Sequence, residues 1–156
     1  MKRHQQLQPL SRQHHNALLA ALLLKKGLAK NADVQVMATF INNLWQQDLK
    51  EHFESEEQFL LPPLIESSFD KELTKRLLHQ HRVLRGYVQQ LQNESPDRKI
   101  VEAFATLLEQ HVRFEERTYF PEAEKILTEK QLQKIGGHLQ DDDRTNCINY
   151  PVKFWE

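Results

Sequence analysis

Residues 52–62 read HFESEEQFLLP, and residues 111–121 read HVRFEERTYFP. His52 matches His111, Glu56 matches Glu115, Glu57 matches Glu116 and Pro62 matches Pro121, all at one offset. Residues four apart on an α-helix lie one turn above each other on the same face. A helix carrying this phrase therefore points a His and a Glu at one common centre, twice.

A second phrase is also duplicated. Leu10–His14 and Leu77–His81 share the pattern Leu-x-x-Gln-His. The chain reads as two halves, each supplying Leu-x-x-Gln-His on one helix and His-x-x-x-Glu-Glu…Pro on the next. Two such hairpins related by a pseudo-two-fold axis bring together His14, His52, Glu56, His81, His111 and Glu115. That set suits two metal ions, each taking two His, with two Glu able to bridge them.

The surrounding sequence is helical throughout. Pro9 suits a first helical turn, and Leu10, His14, Ala17, Ala21, Leu24 and Leu28 form one helical stripe with Gly27 near its end. A second helix is expected from about Asp33 to Leu61, with Val34, Ala38, Ile41, Trp45, Leu49, His52, Glu56 and Phe59 on one face and Pro62-Pro63 as its stop. A third starts near residues 68–70 and carries Leu73, Leu77, His81, Leu84, Val88 and Leu91. Ser95 and Pro96 are expected to open a fourth, with Ile100, Phe104, Leu107, His111 and Glu115 on its stripe. Thr128 and Gln131 read as the capping box of a short fifth helix, stopped by Gly136-Gly137. Long amphipathic helices with short connections fold most economically as an all-α, antiparallel up-down four-helix bundle. The bundle is expected to occupy residues 1–136. The tail, 137–156, contains the acidic run Asp141–Asp143 and the ending NYPVKFWE. It reads as a strap packed on the bundle, with a partner-binding or dimer-forming segment as the alternative.

The polar residues on the apolar stripes carry the functional argument. Each inward face holds a His where Leu is expected, and two hold a Glu as well. Burying such groups without partners costs several kcal/mol each, on the order of a lost hydrogen bond or more. A lone core His is ordinarily satisfied by a neighbour. Six ionisable groups on four helices are satisfied together by metal, since imidazole nitrogen and carboxylate oxygen are natural donors. Helical phase favours His14 over the adjacent His15 as the inward residue. Glu57 and Glu116, rotated about 100° from the proposed ligands, are read either as partners of a ligand His or as additional ligands, or else as solvated or interhelical salt-bridging residues, and His15 stays the alternative ligand to His14. His79 lies beside Arg76 and Arg82 and is expected to face solvent; His4 and His138 are assigned no role.

Composition sets outer bounds. The 156 residues carry 21 Lys and Arg against 22 Asp and Glu. That balance argues against a dedicated nucleic-acid or membrane-surface binder. With only Cys147, the chain can form no internal disulfide and no thiolate metal cluster. The longest apolar run, ALLAALLL at 17–24, is too short to span a membrane, and the N-terminal residues lack a signal-peptide core. A cytoplasmic protein is expected.

Taken together, LSRQHH at 10–15, HFESEEQFLLP, LLHQHRVLRG at 77–86 and HVRFEERTYFP resemble the hemerythrin-like family, the HHE cation-binding domains. The resemblance covers about residues 8–127. It implies a non-haem di-iron centre, with His14 and His52 on one iron, His81 and His111 on the other, and Glu56, Glu115 and an oxo or hydroxo group as bridges. The residues alone also suit zinc or manganese. The chain departs from the oxygen carriers at two places. Leu77 stands where they have a further His, and Glu115 where they usually have Asp. The resemblance therefore points toward binding or sensing oxygen, nitric oxide or iron rather than reversible oxygen carriage. A di-iron enzyme acting on peroxide or nitric oxide, and an interaction protein with a structural metal, are the rival readings. No separate acid/base pair or substrate-cradling motif favours the enzyme.

Overall fold

A computed structural model of the chain describes residues 2–93, 95–139 and 146–156. Among these, the structure is a helical bundle without a β-strand. Helix α1 spans Gln8–Ala29. The next rod runs from 34 to 65 as α2 (Val34–Leu44), a π-turn (Trp45–Leu49), α3 (Lys50–Ser55), a second π-turn (Glu56–Leu60) and α4 (Leu61–Ile65). Helix α5 is Lys71–Asn93. A last rod comprises α6 (Arg98–Phe114), a π-turn (Glu115–Tyr119) and α7 (Phe120–Ile126), followed by α8 (Glu129–His138). Helix α6 packs against both α1 and α5, and α2 packs against α5 and α6.

The ends of these helices follow from local chemistry. Asp33 caps α2 by accepting from the Val36 amide, and Thr128 with Gln131 forms the expected capping box. Helix α1 ends with Asn31 in the left-handed region at φ 57°. There the Ala32 and Asn31 amides return to the Gly27 and Leu28 carbonyls, closing the last turn.

Three expectations about helix ends are corrected. Pro62 and Pro63 do not stop the second rod, which continues to Ile65. In the π-turn before them the Leu61 amide reaches back five residues to the Glu56 carbonyl. Pro62 and Pro63 fall in the first turn of α4, directly after that wider turn, where a missing N–H is tolerated. Pro121 follows the Glu115–Tyr119 π-turn in the same way. The fourth-helix cap is Asp97, which accepts from the Lys99 amide; Ser95 and Pro96 lie before the helix. Gly136 and Gly137 sit inside the last turn of α8 rather than beyond it. A Cβ at Gly136 would meet the Gln6 side chain of the N-terminal segment.

The tail is packed on the bundle. Phe154 and Trp155 are buried, and Phe154 stands edge-on to Phe40 with centroids 5.0 Å apart. Gly27 makes room for it, since a Cβ there would lie 2.7 Å from Phe154 Cδ1. The acidic run Asp141–Asp143 lies outside the described residues.

The apolar interior forms two clusters. One contains Ala17, Leu49, Phe53, Leu84, Leu108 and Val112; the other contains Leu10, Leu60, Leu77, Phe114, Tyr119 and Phe120. Each stripe passes from one cluster to the other, and at each crossing stands a His. A polar layer thus divides the core.

Candidate metal centre

The polar layer consists of His14, His52, Glu56, His81, His111 and Glu115, none more than 4 % exposed. Helix α1 supplies His14, α3 supplies His52, α5 supplies His81 and α6 supplies His111. Glu56 and Glu115 are the first residues of two π-turns.

The six side chains form two overlapping groups. His14, His52, Glu56 and Glu115 have potential ligand atoms within 4.8 Å of one another, and so do Glu56, His81, His111 and Glu115. Both carboxylates belong to both groups. Glu56 lies with Oε2 3.6 Å from His52 Nε2 and Oε1 3.1 Å from His81 Nε2. Glu115 Oε1 lies 2.8 Å from His111 Nε2 and 3.3 Å from His14 Nε2.

These approaches are close, yet they lack hydrogen-bond geometry. All four Nε2 atoms and all four carboxylate oxygens are buried without a hydrogen-bond partner. Buried polar atoms are nearly always paired, and an orphan costs about 1–3 kcal/mol. Eight orphans gathered in one volume fit a cation, since imidazole nitrogen and carboxylate oxygen are borderline and hard donors once deprotonated.

The outer nitrogens are treated differently. His14 Nδ1 meets Glu116 Oε2 at 2.7 Å, His52 Nδ1 meets Gln13 Oε1 at 2.5 Å, His81 Nδ1 meets Glu57 Oε2 at 2.5 Å, and His111 Nδ1 meets Gln80 Oε1 at 2.7 Å. An amide oxygen only accepts, so Gln13 and Gln80 place the proton on Nδ1 and leave Nε2 bare toward the centre. Glu57 is gripped by Arg85 at 2.9 and 3.2 Å, and Glu116 by Ser11 at 3.1 and 2.8 Å with Arg3 at 3.5 Å. Phe53 stacks on His81 with centroids 4.0 Å apart, and Phe120 stacks on His14 at 5.6 Å.

Without a cation the groups disturb one another strongly. Burial and the charge of Glu115 push Glu56 well above the usual carboxylate range. Burial also raises Glu115, but the His111 imidazole, the Glu56 carboxyl and then His14 outweigh it and hold it well below that range. Burial lowers His14, yet Glu115 and Glu116 beside it raise it to about 9. His52 is lowered well below 6.5 by burial and by the neighbouring His14. Opposed shifts within one buried cluster gather at functional sites and in structural ion-pair networks alike.

Other residues singled out from the sequence fall elsewhere. His15 and His79 are exposed. His4 pairs with Glu129 at 3.0 Å, and His138 stacks on Phe59 at 4.3 Å. Sequence reasoning assigned nothing to Gln13, Gln80, Arg3, Ser11 or Arg85. The two glutamines were visible, since both copies of Leu-x-x-Gln-His contain one. Leu77 is fully buried in the second apolar cluster. A small cavity of about 10 Å³, room for one water-sized molecule, adjoins His14, His52 and His111 beside Ala17, Leu49 and Val112.

A family model, the hemerythrin HHE cation binding domain, matches residues 7–123. That span contains all six inward donors and the four residues bound to their outer nitrogens. Comparison with curated proteins and with solved structures finds no significant match. Among the described residues no helix is long and apolar enough to cross a membrane.

Proposed function

This chain belongs to the hemerythrin HHE cation-binding family, and on that premise we propose that its cation site is a di-iron centre that binds or senses a small diatomic ligand, oxygen or nitric oxide. His14 and His52 would serve one ion, His81 and His111 the other, and Glu56 and Glu115 both. The observation that carries this reading is the set of eight buried inward-facing atoms without hydrogen-bond partners. Iron in place there supplies a redox-active position for a small ligand. The chain does the rest. Gln13, Glu57, Gln80 and Glu116 hold the imidazoles with Nε2 inward, and the flanking apolar clusters exclude bulk water. The small cavity beside His14 and His52 has a largely apolar wall formed by Ala17, Leu44, Leu49 and Val112.

Leu77 in place of a fifth His supports a sensor over a carrier, because four His leave neither ion saturated. A cytoplasmic setting suits such a role. The enzymatic reading, turnover of peroxide or nitric oxide, has no additional feature in its favour. Elemental analysis of protein purified from its own host tests the proposal, with two iron ions per chain expected. Exposure of the reduced protein to oxygen and to nitric oxide should change its visible spectrum. A metal-free protein that folds equally well and has no affinity for iron overturns the reading.

A further inference from the structure

The four acceptors around the centre alternate in charge: Gln13, Glu57, Gln80, Glu116. The glutamine contacts close within each half, from α1 to α3 and from α5 to α6. The glutamate contacts join the halves, from the Glu56–Leu60 turn to α5 and from the Glu115–Tyr119 turn to α1. Each His pair consequently has one imidazole held by a carboxylate and one held by a carboxamide. His81 and His14 are the carboxylate-held members.

The two acceptors have the same shape but different chemistry. Either one orients the ring and selects its tautomer. A carboxylate also draws on the Nδ1 proton and makes Nε2 a stronger donor. The contacts of Glu57 and Glu116 suit that charged role, since each carboxylate is anchored to an arginine, Arg85 or Arg3. Glu56 and Glu57 are consecutive and so point in directions about 100° apart: Glu56 lies beside His81 Nε2 and Glu57 beside His81 Nδ1.

We infer that Glu57 and Glu116 are positioning residues that each strengthen one imidazole of one His pair, so that the two metal positions are matched, each with one strong and one weaker nitrogen donor. The inference rests on the di-metal reading above. It assigns the effect to charge rather than to shape, and it assigns each glutamate to one position only.

Anaerobic calorimetric titration of the metal-free protein with iron(II) tests it. Wild type should take up two ions with comparable affinities. In Glu57→Gln, one ion should bind as in wild type, and the other about 10- to 100-fold more weakly, the usual scale for such outer partners. Proton NMR of the metal-loaded protein should place the weakened ion at His81 and His111. The exchange Glu57→Gln with Gln80→Glu moves the charge to His111 within the same pair and should restore most of the affinity. Glu116→Gln repeats the comparison at His14 and His52. Melting of the metal-free variants separates a structural role, which no charge swap would repair. The inference is overturned if Glu57→Gln binds both ions like wild type, if the loss is shared by both positions, or if the swap restores nothing. Wild type that binds no iron overturns the di-metal reading itself.

Discussion

Glu56 Oε1 lies 3.1 Å from His81 Nε2 on another helix, although its own helix presents His52 to its other oxygen at 3.6 Å. One side chain thus spans both His pairs. In the metal-free protein burial and Glu115 keep Glu56 well above the usual carboxylate range, which favours its neutral form, and glutamine is close to that form in shape. Glu56→Gln is expected to leave the melting temperature of the metal-free protein unchanged or raised, and to lower bound metal below two ions per chain. Calorimetry and metal analysis on the same sample check both.

The pH dependence of the metal-free protein should run opposite to that of metal binding. His14 is raised from 6.5 to about 9 in the folded state. Its contribution to stability is complete below pH 6.5 and is lost as pH rises through about 9. Glu56, also raised, acts in the same direction above its ordinary range. The melting temperature of metal-free protein should therefore fall between pH 6.5 and 9. Metal binding needs His14 deprotonated, so affinity should rise across that window. In His14→Gln the contribution of His14 to the melting slope should vanish.

Leu77 is fully buried, one turn before His81 on α5. Leu77→His places an unpaired imidazole in an apolar cluster, at about 1–3 kcal/mol. The metal-free variant should melt several degrees below wild type. With iron, the added donor one turn from His81 should recover that loss. Thermal melts with and without iron measure the difference, and a deficit of equal size in both would show that residue 77 does not reach the metal.

Phe154 fills the space left by Gly27 and packs on Phe40. Phe154→Ala removes a buried aromatic ring and should cost about 3 kcal/mol. For a domain of this length that lowers the melting temperature by about 6–12 °C. Metal content should not change, because the ring packs on Phe40, Trp155 and Gly27 rather than on the polar layer. Loss of metal together with the tail would instead tie the tail to the centre.

Much of this centre was legible in the chain because helical phase is local. The spacing of His52 and Glu56 fixes a shared face whatever the rest of the protein does, and the matching spacing of His111 and Glu115 doubles the signal. His14 was separable from His15 by the same reasoning, and the structure buries the first and exposes the second. Helix ends were less legible. A proline after an α-turn and a proline after a π-turn are written with the same letters, and only the backbone hydrogen bonds distinguish them. Gly136 likewise looked like a stop, whereas it lies inside α8 with the Gln6 side chain of the N-terminal segment packed beside it.

The sequence by itself determined the all-helical class, the two-fold repetition and the six inward-facing donors, since each depends on periods of three and four residues within one helix. Only the tertiary structure decided what each donor meets. Which imidazole faces Gln13 or Glu57, which oxygen of Glu56 approaches which His, and how Arg3 and Arg85 anchor the carboxylates all depend on neighbours distant in sequence. Arg3 reaches the Glu116 carbonyl across 113 residues. Such contacts are set by how the rods pack together, and packing is a property of surfaces from several helices at once.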